Sequence, residues 1–292
     1  MNFRKAFSIT ELSVVILVLG ILISGIISSI DIYRDAKITS LRSLTINSIT
    51  SRIPDIEFWS DTISNKSFDK SIQNNSLVSN WNNINPHILV KNSALSPSTA
   101  KAPKYIENGI NNLPSILFDG VDDCLRIPFN LNYAVNKEVS IFLVFKSLSN
   151  PSINLALFGL DDKLGWGRFV LSRYYGGNGG SSFGSNIGIL QNISKLDTNF
   201  ILTYVSNQGV SNGSLLRLNK NYSSITQTHN FTSQAGPEYF GLGTIDGACS
   251  RQGFYSNIMV SEIIVYSQAL NSTQILQIEE YLAKKYSIKL ID

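Results

Sequence analysis

The sequence predicts an α+β chain: one long N-terminal helix, an antiparallel β-sandwich, and a short closing helix. Three observations carry this. An uncharged, proline-free run of 19 residues extends from Leu12 to Ile30. Beyond Pro54 the pattern changes to short apolar segments separated by Asn, Ser and Gly. Near the C-terminus a helical period returns over Ile275, Ile278, Leu282 and Tyr286.

The chain has 292 residues, enough for one large domain or two smaller ones. Lys and Arg exceed Asp and Glu by 24 − 21 = +3, so no strong field favours nucleic acid or an acidic partner. Only 15% of residues are charged, well under the usual quarter or so. Asn and Ser supply much of the polar surface instead, which suits a secreted head. Cys124, Cys249, His87 and His229 are the only cysteines and histidines, and a zinc site of Cys and His would need all four together. Cys124 and Cys249 are compatible with a disulfide outside the cytosol, or with two unrelated buried thiols. A bridge would close a loop of more than a hundred residues, worth roughly 4–5 kcal/mol by chain entropy.

At about 1.5 Å per residue the run from Leu12 to Ile30 covers nearly the thickness of a bilayer core. A secretory signal would use Arg4 and Lys5 as its positive region, but the run is too long for one and Glu11 stands where its apolar region should begin. Gly20, Ser24 and Ser28 recur every four residues as a stripe where helices can approach closely. From Asp31 to Ile53 there is neither proline nor glycine, and Ile38, Leu41, Leu44 and Ile49 share one face. The expectation is one continuous helix from Phe7 to about residue 52, about 65–70 Å long, whose outer half packs on the head.

Arg4-Lys5-Ala6 followed by Phe7-Ser8-Ile9-Thr10-Glu11-Leu12 resembles the prepilin signal of type IV pilins and secretion pseudopilins. The resemblance implies cleavage between Ala6 and Phe7 by a prepilin peptidase and N-methylation of Phe7. Glu11 would become the fifth residue of the mature chain and pair with the freed amine of a neighbouring pilin subunit. A carboxylate at the lipid boundary needs such a partner. Glu11 and Gly20 are therefore the expected assembly residues. Two departures are visible: Ala6 stands where the family more often has Gly, and the helix lacks the family's common central proline. The implied division is a leader over residues 1–6, a pilin helix over 7–53 (spanning over 7–30, outside over 31–53) and a head over 54–292.

In the head, strand candidates are Ser115–Phe118, Cys124–Pro128, Val139–Phe145, Leu155–Phe158, Arg168–Tyr174, Ile187–Leu190, Phe200–Val205, Leu215–Leu218, Tyr239–Leu242 and Ile258–Tyr266. Strands this short, broken by turn clusters such as 176–180, indicate a sandwich or barrel. Asn271 with Gln274 forms a capping-box pattern, and Leu270 with Ile275 a staple, at the start of the last helix.

Pro114-Ser-Ile-Leu-Phe-Asp-Gly-Val-Asp-Asp-Cys-Leu is similar to the early-strand signature of laminin-G-like, concanavalin A-like jelly rolls. Phe58-Trp59-Ser60-Asp61 and Val78-Ser79-Asn80-Trp81 fit that family's opening. Glu262-Ile-Ile-Val-Tyr and Glu280-Tyr281-Leu282-Ala283-Lys284-Lys285-Tyr286 fit its end. The resemblance spans about residues 56–288 and implies a concanavalin A-like jelly roll, although Cys124 stands where an aromatic residue is more usual.

Catalytic constellations are sparse. No E-x-D-x-x-E pair of carboxylates occurs: Glu57 and Asp61 stand four apart, and Glu262 is isolated between apolar neighbours. There is no G-x-x-x-x-G-K-S/T phosphate loop. No catalytic residue is assigned, and the expectation is a head that is not an enzyme. Trp166, Tyr174, Tyr175 and Asn178, with Phe183, combine aromatic faces with an amide around a glycine-rich stretch, as sugar sites do; the alternative is that these aromatics fill the core. Asp119, Asp122 and Asp123 gather hard oxygens suited to calcium, as do Asp161 and Asp162, although Asp also caps its own turns.

The expected function is a pilin-like, minor subunit of a type IV pilus or related filament, its lectin-like head displayed for adhesion to a surface glycan or protein. The alternatives are a secretion-system pseudopilin and a membrane-anchored glycan-processing enzyme. The precursor would sit in the bacterial inner membrane with its head outside the cytoplasm, then move to a pilus or pseudopilus, periplasmic or at the cell surface.

Overall fold

A computed structural model describes residues 8–88, 92–128, 138–148, 155–159, 170–175, 181–184, 189–190, 198–207, 209–221, 223–228 and 239–291. The chain divides into two compact units, residues 1–46 and 47–292.

The first unit is helix α1 (Ile9–Ile46). Its start is fixed by a reciprocal cap: Glu11 N donates to Ser8 Oγ at 3.2 Å, and Ser8 N donates back to Glu11 Oε2 at 2.8 Å. The window Ile9–Ile26 has a mean hydropathy of 2.4 and no buried residue. That helix is long and apolar enough to anchor the chain in a membrane or to act as a signal sequence. It is shorter than expected, ending at Ile46 rather than near residue 52. The last turn holds Thr45, whose Oγ1 donates back to the Leu41 carbonyl, and the chain then meets Asn47 and Ser48. These residue types offer the backbone competing hydrogen bonds. Ser48 is extended (φ −67°, ψ 158°), and a separate 3-10 turn follows over Ile49–Arg52.

The second unit contains sixteen strands among its described residues. In chain order they are β1 (Ile56–Asp61), β2 (Asn80–Trp81), β3 (Ala94–Leu95), β4 (Lys104–Ile106), β5 (Ser115–Asp119), β6 (Leu125–Pro128), β7 (Glu138–Ser147) and β8 (Leu155–Gly159). They continue as β9 (Val170–Tyr175), β10 (Ser181–Gly184), β11 (Ile189–Leu190), β12 (Asn199–Asn207), β13 (Ser214–Leu218), β14 (Ser223–Gln227), β15 (Tyr239–Leu242) and β16 (Asn257–Tyr266). Helix α2 (Ser272–Tyr286) closes the chain. All named strand pairs are antiparallel. One sheet runs β14-β13-β12-β7-β16-β5-β4, with β1 also on β16; the other runs β11-β10-β9-β8-β15-β6-β3-β2.

The inner faces meet in one core that includes Phe58, Trp81, Phe118, Leu143, Phe145, Leu202, Tyr204, Val260, Ile263 and Val265. The central strands β7, β12 and β16 are buried on both faces, which is why their sequences read as continuous apolar runs. Side chains alternate along a strand, so Thr203 points away from the core that holds Leu202 and Tyr204. There it donates to Glu279 of α2 at 2.6 Å. Helix α2 thus covers the outer face of the first sheet. Its N-terminus carries the expected capping box, Gln274 N to Asn271 Oδ1 and Asn271 N to Gln274 Oε1.

Cys124 and Cys249 form a disulfide with a Cα–Cα separation of 6.0 Å. It joins the start of β6 to the loop between β15 and β16.

Candidate functional site

The sequence Asp119-Gly-Val-Asp-Asp-Cys124 turns the chain from β5 into β6. Gly120 takes the left-handed backbone (φ +79°) against Asn257, a conformation a side chain would strain. Asp119 Oδ1 accepts from Val121 N at 2.8 Å, and Asp123 Oδ2 accepts from Asp119 N at 2.9 Å. The turn therefore aims three acids at one another: one carboxylate oxygen from each of Asp119, Asp122 and Asp123 lies within 4.8 Å of the other two. Burial, together with the charges of Asp119 and Asp122, pushes the Asp123 carboxyl up to about 6, against the hydrogen bond from Asp119. One oxygen of Asp119 and one of Asp123 stay outside that turn network. With Asp122 they make a hard-oxygen donor set that could hold a metal ion.

The disulfide anchors this corner. Lys101 Nζ and Tyr255 Oη both donate to the Cys249 carbonyl. Arg126 donates to Ala248 O at 2.7 Å and lies over the Tyr239 ring at 5.9 Å. Asp246 receives the Ser250 amide and hydroxyl, closing the loop on itself.

The second charged cluster was not legible in the sequence. Asp61, Glu262 and Lys285 all have fully buried side chains, with Lys285 Nζ 2.6 Å from Asp61 Oδ2 and 2.7 Å from Glu262 Oε2. A bulge creates it: β16 gains a residue against β7 between Val260 and Glu262. That extra residue, Ser261, turns Glu262 from the core face to the helix-covered face. Glu262 Oε1 accepts from Trp59 Nε1 at 2.7 Å and from Tyr281 Oη at 2.9 Å. The carboxyls diverge. Burial pushes Asp61 up, but the Lys285 charge and the donors Lys285, Ser64 and Ser67 outweigh it and hold the group below its ordinary value. For Glu262 burial wins and the carboxyl is raised, with the Asp61 charge adding to it. The isolation that Glu262 shows in sequence is therefore misleading. The clue was its place in an otherwise apolar strand, which demands a buried partner.

The remaining expected residues are scattered. Tyr174 and Tyr175 lie on β9, opposite Ser182 and Ser181 of β10. Trp166, Asn178, Asp161, Asp162 and His229 fall outside the described residues, as do Ala6 and Phe7. His87 Nε2 is 2.7 Å from the Ser51 carbonyl, a structural contact. Glu11 sits in the cap of α1, and Gly20 lies on the exposed face of that helix with open space around its Cα.

No protein-family model matches the chain, and no curated protein matches it by sequence. By fold it is similar to Trypanosoma rangeli sialidase in complex with sialic acid, with a TM-score of 0.54 and 13% identity over 82% of this chain and 34% of that one. It is equally similar to the same sialidase in complex with 2,3-difluorosialic acid as a covalent intermediate, with a TM-score of 0.52, 13% identity and the same coverage. The receptor-binding domain of botulinum neurotoxin mosaic serotype C/D aligns with a TM-score of 0.45 and 13% identity over 72% of this chain and 51% of that one. The chain thus spans about a third of the length of the sialidases it matches. Identities this low show a shared fold. That likeness corrects the expectation of a head that is not an enzyme, because sialidases are among the structures that share the fold. Motif spacing is a poor ground for that expectation, because a fold can serve catalysis without the particular spacings that were sought.

Proposed function

We propose that the second unit is a jelly-roll module that engages glycans, as a lectin-like head or as part of a glycan-processing protein, held at a membrane by the N-terminal helix. The observation that carries this is the fold shared with a sialidase in complex with sialic acid, together with a helix apolar enough to serve as an anchor. Trp166, Tyr174, Tyr175 and Asn178 are the proposed ligand-facing residues, and the Asp119, Asp122 and Asp123 corner is the proposed calcium site. The test uses the full chain in detergent, on an array of sialylated and neutral glycans and with a fluorogenic sialoside. Binding to a glycan class, or release of the fluorophore, supports the reading. Silence in both assays removes it.

The sequence of the stem supports a finer version. In it residues 1–6 are a prepilin leader, 7–53 a pilin helix and 54–292 the head. A prepilin peptidase cuts before Phe7 and methylates it, and Glu11 and Gly20 serve packing with other pilin subunits in a pilus or secretion pseudopilus. A mature start at methylated Phe7, read by mass spectrometry of the membrane-purified protein, is the expected result. A start near Gly25 would leave a secreted sandwich instead.

A further inference from the structure

We propose that Lys285 and Asp61 are poised to join in an intramolecular isopeptide bond, with Glu262 as proton relay, tying the C-terminal helix covalently to the first strand of the head. Four observations place the three groups in those roles. The amine and the carboxyl are in hydrogen-bond contact at 2.6 Å, which holds the nitrogen at roughly the 3–3.5 Å from the carboxyl carbon of a near-attack arrangement. All three side chains are shut away from solvent, so bulk water is not at hand to reverse a condensation. The Asp61 oxygen turned away from the amine, Oδ1, accepts from Ser64 N at 2.8 Å, Ser67 Oγ at 2.8 Å and Ile63 N at 3.3 Å. Those donors are aimed where negative charge would develop on attack. Glu262 touches the same Nζ at 2.7 Å and stands opposite Asp61 in the strand register.

The step balances without any outside reagent. The starting groups are an ammonium and a carboxylate. Glu262 takes a proton from Nζ and passes it to Oδ2, leaving a free amine beside a carboxylic acid. The nitrogen lone pair then forms the C–N bond at Asp61 Cγ while charge collects on Oδ1. Glu262 moves a second proton from nitrogen to Oδ2, the C–Oδ2 bond breaks to release water as the Oδ1 charge re-forms the carbonyl, and Glu262 ends as it began. Burial favours this exchange because it replaces two charges by a neutral amide. Trp59, Tyr281 and Tyr286 enclose the site, with Nζ 5.4 Å from the centres of both tyrosine rings. Asp61 is the electrophile rather than Glu262 because its receiving oxygen is held by two backbone amides, which cannot swing away.

Peptide mapping of the full-length protein tests this. The chain is reduced first, so that the disulfide does not contribute, then cut with trypsin. An amide at Lys285 blocks cleavage after that residue. The expected product is residues 53–66 joined to residues 285–289, lighter than the two together by one water, with the junction sequenced by fragmentation. Recovery of residues 53–66 and 286–289 as separate peptides in full yield overturns the proposal, and a junction from Lys285 to Glu262 overturns the assignment of Asp61. Glu262→Gln is expected to leave the peptides unlinked in a folded chain, and linkage at wild-type yield would remove the relay. If that variant folds poorly, the wild-type map still decides whether the bond forms.

Discussion

Asp61 and Glu262 lie directly opposite one another across the β1–β16 pair and share a single ammonium, that of Lys285. Two acids facing each other across a sheet would repel. With the ammonium between them they instead bind β1, β16 and α2 into one buried unit. The same helix is held a second time where Glu279 receives Arg217 through both of its oxygens.

Removing Lys285 therefore leaves two buried acids without their cation. Lys285→Met is expected to cost about 3–5 kcal/mol, the range for breaking a buried pair by deleting one partner. Urea unfolding followed by tryptophan fluorescence measures it, since Trp59 donates to Glu262. A loss below about 1 kcal/mol would mean that the triad behaves like a surface pair.

Asp123 sets a pH dependence of the opposite sign to the usual acid. Its carboxyl, at about 6 when folded, is raised chiefly by burial, so between roughly pH 4 and 6 the folded state holds more protons than the unfolded one. Its contribution to stability is lost as pH rises through that window. Asp123→Asn should keep the acceptor for Asp119 N and remove the penalty. It is expected to melt higher than the parent at pH 7, with the difference closing below about pH 4. Calcium should raise the melting temperature of the parent but not of the variant if the corner takes the ion.

Glu11 has an observed role in the cap and a proposed one in packing, and Glu11→Ala removes both at once. It completes the cap with Ser8, and it is the proposed charge for subunit packing. Gln can serve in a capping box as Glu does, so Glu11→Gln retains the cap and removes the charge. If incorporation into surface filaments falls for both Glu11→Gln and Glu11→Ala, the charge is what matters. If only Glu11→Ala fails, the cap suffices and the pairing role is removed.

The disulfide links residues 125 apart in sequence. Chain entropy values that closure at about 5 kcal/mol. Cys124→Ser with Cys249→Ser should lower the unfolding midpoint accordingly. The parent under reductant should approach the double variant, and equal midpoints in all three states would show that the bridge contributes nothing.

Local pattern was legible in the sequence wherever the physics is local. The apolar run of α1, the Asn271–Gln274 cap of α2 and the strand Tyr239–Leu242 depend on neighbours within a few residues, so periodicity and capping chemistry revealed them. The short strands Asn80–Trp81, Ala94–Leu95 and Lys104–Ile106 were invisible because two or three residues carry no period; they are strands only because a partner edge pairs with them. The three acids Asp119, Asp122 and Asp123 could be grouped from their spacing alone, since one tight turn brings them together. The triad could not. Asp61 and Lys285 stand 224 residues apart, and a one-residue bulge at Ser261 turns Glu262 towards them. The sequence by itself determined the apolar first helix, most of the longer strands and the capped closing helix; only the tertiary structure decided the shortest strands and which distant charges meet, because strand register and bulges are settled by the packing of the whole sandwich rather than by any stretch within it.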